Sequence, residues 1–169
     1  MILGILTLLF ALMAFLPGSS PIKAGAAGTA VRASAEEDVE DITTAFMQAI
    51  TTYDYRKVND TIRRSEEFTT DGFAQHYQSA LRGDINVFRQ RILDNRAIAT
   101  GEVKGVAVQS IDDDTATLLT FAVQTVRTRR EPRETSKFLV IEAALVRDGS
   151  DWKVDSLRVP AGVGGQAAG

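Results

Sequence analysis

The sequence predicts an α+β domain in which helices come first and pack on a curved, four-stranded antiparallel sheet. Three observations predict it. Apolar residues recur at helical spacing in the first half, opening with Val39, Ile42, Phe46, Ala49, Ile50 and Tyr53. From Ala99 onward the period becomes that of strands, and four apolar segments follow one another. The links between those segments are short and rich in Asp, Gly and Pro, which suits antiparallel neighbours and not crossovers.

An apolar run from Met1 to Leu16 opens the chain and ends at Pro17-Gly18-Ser19-Ser20. Its span, roughly 24 Å at a helical rise of ~1.5 Å, approaches the ~30 Å bilayer core, so residues 1–20 read as a signal anchor or signal peptide. Either way the rest of the chain is expected outside the cytoplasm. An uncleaved anchor makes it a single-pass membrane protein. Cleavage at Ala24-Gly25-Ala26-Ala27 or Ala33-Ser34-Ala35 makes it secreted. No Lys or Arg precedes Lys23, so the positive-inside rule gives no orientation.

Residues 21–34 are small, rich in Gly and Ala, and read as a linker. Residues 35–160 form the extracytoplasmic domain, and the low-complexity tail 161–169 reads as disordered. The first helix is expected to start at Ser34, with Glu37 at capping-box spacing and Glu36, Asp38, Glu40 and Asp41 in its first turns. A short turn with Tyr55 and Val58 follows. A second helical stretch is expected to be capped near Thr70 or Asp71, carry Phe73, Tyr77 and Leu81, break at Gly83-Asp84, and resume through Ile85, Phe88 and Ile92. The strands are expected at 99–111, 115–129, 137–147 and 152–159. Their connections are Asp112-Asp113-Asp114, the Arg/Glu segment around Pro132, and Asp148-Gly149-Ser150-Asp151.

Charge and composition exclude several classes. A net charge of −3 provides no electrostatic footprint for nucleic acid. With no cysteine, disulfides and thiol chemistry are absent. His76 is the single histidine, so it has no second imidazole or thiolate with which to build a transition-metal site, and it reads as a surface or packed side chain. Tyr53, Asp54 and Tyr55 contain the phenol and carboxyl of a proton-transfer pair, but three adjacent residues cannot all face one cavity. They read as core, turn cap and rim. Asp112-Asp113-Asp114 lacks the alternating ligands, glycine and closing Glu of a calcium loop and reads as a turn. No cofactor or metal is expected, and no catalytic residue.

Two features fit binding better. The third strand is apolar on both sides: Leu139, Ile141, Ala143 and Leu145 are expected toward the helices, while Phe138, Val140, Ala144 and Val146 face away as a partner surface. The second feature is the turn Arg127-Thr128-Arg129-Arg130-Glu131-Pro132-Arg133-Glu134. There Arg127, Arg129, Arg130 and Arg133 are candidate contacts for anionic headgroups or an acidic partner. Val140→Asp is expected to break docking without unfolding the domain.

Several residues together resemble an Mce-associated membrane protein of actinobacteria. They are Thr52-Tyr53-Asp54-Tyr55 after the first helix, Phe73 with Tyr77, Val106-Ala107-Val108-Gln109-Ser110, the Gln124 strand, and the closing Asp151-Trp152-Lys153-Val154-Asp155-Ser156-Leu157. The resemblance implies a nuclear-transport-factor-like (ketosteroid-isomerase-like) cone. It also implies a non-enzymatic accessory or stabilising subunit of an Mce-type lipid import complex in the cell envelope. Expected partners are Mce-type transporter subunits or related envelope proteins, the membrane through the apolar segment, and a second copy of the chain. The wider superfamily leaves three alternatives: a lipid or sterol carrier, an isomerase- or dehydratase-type enzyme, and a secretion-system scaffold. A cavity in the cone would be lined by Phe46, Ile50, Tyr53, Phe73, Tyr77, Phe88, Phe121 and Trp152.

Overall fold

A computed structural model describes residues 26–73 and 89–160, with the backbone alone for 26–31. The apolar leader, residues 21–25, the tail 161–169, and the expectations placed on His76, Tyr77, Leu81, Gly83-Asp84, Ile85 and Phe88 lie outside them.

Helix α1 runs Ala26–Thr51, so it begins upstream of the expected Ser34 cap. Ala26, Ala27, Ala30, Ala33 and Ala35 are the strongest helix formers, and they outweigh Gly28. Arg32 donates to Glu36 one turn on at 3.2 Å, a contact that requires continuous helix across Ser34. The linker expected over 21–34 is therefore helical from Ala26. Val39, Thr43, Phe46 and Met47 form the buried stripe of α1, each 0% exposed.

The sheet has the order β1-β2-β3-β4-β5, all antiparallel. Strands β2 (Ile98–Ile111), β3 (Thr115–Arg127), β4 (Thr135–Asp148) and β5 (Asp151–Arg158) are the four expected. A fifth, β1 (Tyr53–Asp54), pairs with Ala99 and Ile98. Register shifts at Val103/Gly105, Val108/Ser110 and Ala144/Leu145 add local bend and twist, which curls the sheet around α1. Gly149, with φ of 65°, begins the two-residue loop between the paired Asp148 and Asp151.

A 3-10 turn, Tyr55–Lys57, leads into helix α2, Val58–Glu66, where only a short turn was expected. Its buried face is Val58, Thr61 and Ser65, so two of three inward residues are polar and the apolar period is faint. Thr70 caps the next helical residues, 71–73, by accepting from Phe73 N–H at 3.0 Å. Its hydroxyl also donates to Asp155 on β5 at 3.0 Å. Thr70 N–H donates to Val154 O and Val154 N–H to Phe68 O, so this segment covers the outer edge of β5.

One face of the sheet meets the helices. Ala116, Leu118, Thr120, Ala122 and Gln124 alternate inward along β3, as do Ile141, Ala143 and Leu145 on β4. Phe46 meets Phe73 edge-on at 6.1 Å within this core. A satellite cluster of Tyr53, Val58, Ile92, Ala97 and Ala99 closes the other end. Gln124, 1% exposed, donates to Thr51 O at 2.8 Å and ties the end of α1 to β3.

Phe121 corrects an expectation. The sequence places it in the cavity lining, but period two puts Thr120 and Ala122 inward at 0% exposure and sends Phe121 to the opposite face.

Candidate functional site: an open aromatic sheet face

Strand pairing builds a continuous apolar face on the side away from α1. Phe121 lies opposite Val140, Val123 opposite Phe138, and Ala107 opposite Leu119. The rings of Phe121 and Phe138 stack at 6.3 Å and 26°. Phe138 is 63% exposed, whereas Val140 is 7% exposed between its aromatic neighbours. Glu142 interrupts the apolar series on β4. Arg158, across the ladder on β5, donates Nε and an Nη to its two oxygens at 2.6 and 2.9 Å. The interruption is thus neutralised within the face.

Tyr53, Asp54 and Tyr55 enter three different environments. Tyr53 is buried in the satellite cluster, and burial pushes its phenol up to about 12. Asp54 caps the 3-10 turn, accepting from Arg56 N–H at 2.9 Å and from the Arg56 guanidinium. Those bonds hold its carboxyl down at about 2. Tyr55 is half-buried, with the Arg56 guanidinium 5.6 Å from its ring centroid. A carboxylate already engaged by Arg56 and ionised far below neutrality is poorly matched to proton abstraction.

The Asp54 shift has a consequence for stability. Its folded value lies below its ordinary 3.8, so its contribution is present above about pH 4 and lost as pH falls toward 2. The urea midpoint of Asp54→Asn is therefore expected below that of the parent at pH 7, with the gap narrowing through about pH 3 and closing only below about pH 2. A gap that stays constant with pH contradicts the assignment.

No family model matches the sequence, and no curated protein sequence matches it. Solved structures with the same chain path do exist. The periplasmic domain of DotI superposes with a TM-score of 0.62 at 11% identity, over 84% of this chain and 99% of that one. An IcmL-like type IV secretion system protein from Legionella pneumophila gives 0.60 at 12% identity, over 75% and 91%. A candidate aromatic ring hydroxylase from Novosphingobium aromaticivorans gives 0.54 at 12% identity, over 75% and 90%. The fold is the nuclear-transport-factor-like cone. At these identities the likeness is one of fold, and the cone serves proteins of different kinds.

Within the cone, Phe46, Phe73 and Trp152 join the main core, with half-buried Ile50 packed against it, while Tyr53 belongs to the satellite cluster. The candidate lining residues are therefore divided between two clusters, and Phe121 lies outside both. Thr43 Oγ1, Thr120 Oγ1 and Trp152 Nε1 are buried inside the cone without a hydrogen-bond partner among the described residues. The charged turn is pinned at its base. Thr128 N–H donates to Glu131 O at 2.9 Å, Glu131 N–H to Thr128 Oγ1 at 3.0 Å, and Arg129 N–H to Asn95 O at 2.6 Å. Arg127, Arg129, Arg130 and Arg133 all project into solvent from it. Asp112–Asp114 is a hairpin tip closed by Asp112 N–H to Thr115 O at 2.8 Å.

Proposed function

We propose that this chain is a non-catalytic, extracytoplasmic accessory subunit of a cell-envelope complex, with an Mce-type lipid importer as its specific assembly. Its apolar segment, residues 1–16, attaches it to the membrane, and its open sheet face docks the partner. The observation that carries this reading is Phe138, 63% exposed and stacked on Phe121 in a face whose carboxylate is already paired. Exposed aromatic patches of this kind mark interaction surfaces. One of the solved structures with this fold is a type IV secretion system protein by its name and another is a periplasmic domain, which supports an extracytoplasmic assembly role. The Thr52–Tyr55 and Asp151–Leu157 segments support the importer. No helix among the described residues is long and apolar enough to cross a membrane, so attachment rests on residues 1–16.

Affinity purification of the tagged full chain from gently solubilised native membranes, with mass spectrometry of the eluate, tests this reading. Mce-type substrate-binding subunits with a permease and ATPase are expected. Recovery with a conjugation or secretion apparatus instead would move the chain to that assembly.

A second reading, a carrier with a ligand inside the cone, is favoured by Thr43, Thr120 and Trp152. Each leaves a buried polar atom unpaired among the described residues, at about 1–3 kcal/mol, and a ligand with polar groups would remove that cost. Recovery alone from the soluble fraction, with a bound lipid, would select it.

A further inference from the structure

The net charge of −3 conceals a cationic end. Tertiary hydrogen bonds bring its parts together. Tyr55 N–H donates to Ala97 O at 3.0 Å and Arg129 N–H to Asn95 O at 2.6 Å, so the 3-10 turn, residues 95–97 and the β3–β4 loop adjoin. Between α2 and the start of β2 lies a groove of about 500 Å³, lined by Lys57, Arg63, Arg64, Asp54, Asp60 and Ile98 among others. Arg127 stands opposite Ile98 in the ladder and projects from the same face, which extends the rim toward Arg129, Arg130 and Arg133.

The carboxylates at the groove are already engaged. Asp54 is held by Arg56, and Asp60 accepts from Arg63 at 3.3 Å. The Arg64 guanidinium bonds neutral oxygens, Asp60 O and Thr61 Oγ1, both at 3.3 Å. None of the ion pairs formed by the described residues uses Lys57, Arg64, Arg127, Arg129, Arg130 or Arg133. Glu131 and Glu134 share the loop and offset part of its charge, and the balance is still positive.

We propose that this groove and its arginine rim bind an acidic polypeptide segment of a partner subunit, carboxylates facing Lys57, Arg64 and Arg127. Guanidinium groups pair with carboxylates in a bidentate fork, and the groove volume suits a few side chains. An anionic membrane presents similar charge, but geometry disfavours it. The 26 residues of α1 span roughly 39 Å at 1.5 Å per residue, and its far end, at Thr51, adjoins the groove at Thr52. With residues 1–16 in the membrane, as the proposed function has it, the groove stands several Debye lengths of ~8 Å from the start of α1.

The test uses the full chain in detergent and a short fluorescent peptide of alternating Glu and Gly, with its Gln–Gly counterpart. Fluorescence anisotropy is expected to show salt-sensitive binding of the Glu peptide alone. The double variants Lys57→Gln/Arg64→Gln and Arg127→Gln/Arg130→Gln should each weaken it about tenfold, while Arg32→Gln near the start of α1 leaves it unchanged. Equal binding of both peptides, or unaltered binding by both double variants, overturns the proposal. So does arginine-dependent binding to phosphatidylglycerol vesicles with none to the peptide. Self-association abolished by replacing Asp112, Asp113 and Asp114 with Asn would make a second copy the occupant and equally overturn it. The two proposals fail separately. A chain that binds the peptide yet purifies alone from membranes keeps the groove and loses the subunit role, and the reverse result does the opposite.

Discussion

Gly101→Val is expected to lower folding stability by about 3 kcal/mol, the upper part of the range for overpacking a tight contact. A Cβ at residue 101 would lie 1.8 Å from Thr51 Oγ1 and 2.5 Å from Thr51 Cβ, with the Thr51 carbonyl carbon at 3.3 Å. Thr51 has little freedom to move aside. Its hydroxyl donates to Met47 O at 2.5 Å, its carbonyl accepts from Gln124 at 2.8 Å, and Gly101 N–H donates to Thr52 Oγ1 at 3.0 Å. The end of α1 is clamped against β2 and β3, so any side chain at 101 pushes the helix off the sheet. Gly105→Val is the control, because nothing lies within 4 Å of its Cβ position. At an m-value of about 2 kcal/mol per molar in urea, the Gly101 variant should unfold about 1.5 M earlier than the parent. Equal midpoints for the two variants would mean that α1 does not seat on Gly101.

Phe138→Asp is expected to abolish recovery of envelope partners while the domain stays folded. Phe138 is 63% exposed, so its loss removes the stacking with Phe121, about 1 kcal/mol, and buries no charge. The burial of Val140 changes the outcome expected for Val140→Asp. Val140 belongs to the same face, but at 7% exposure a carboxylate there is desolvated at a cost of several kcal/mol, and the variant reports folding instead of docking. The pair separates the two effects: circular dichroism should show native signal for Phe138→Asp and a loss of it for Val140→Asp. Full partner recovery with Phe138→Asp would remove the sheet face from the docking surface.

How much of this was legible depended on the residues. The Thr70 cap, the hairpin tips at Asp112–Asp114 and Gly149, and the inward series Ile141, Ala143 and Leu145 followed from local patterns. Phe121 did not. Strand β3 is apolar on both faces, with Leu118 and Ala122 on one and Leu119, Phe121 and Val123 on the other, so alternation offers no parity to read. Helix α2 carries only a faint apolar period because Thr61 and Ser65 fill its buried positions and satisfy their hydroxyls on Thr52 O and Ile62 O. A Val58, Thr61, Ile62, Ser65 spacing with Arg63 and Arg64 near its end was the available signal.

By itself the sequence determined the first helix followed by four long strands, the change from helical to strand period, the strand-connecting turns and the α+β class, because these depend on contacts within a few residues. Tertiary structure decided which face of β3 meets the helices, that Gly101 must lack a side chain, and that Lys57, Arg64 and Arg127 share one end. Those outcomes depend on ladder register and on hydrogen bonds such as Arg129 N–H to Asn95 O and Gln124 to Thr51 O. Such bonds join residues far apart in the chain, and no periodicity in either segment encodes the pairing.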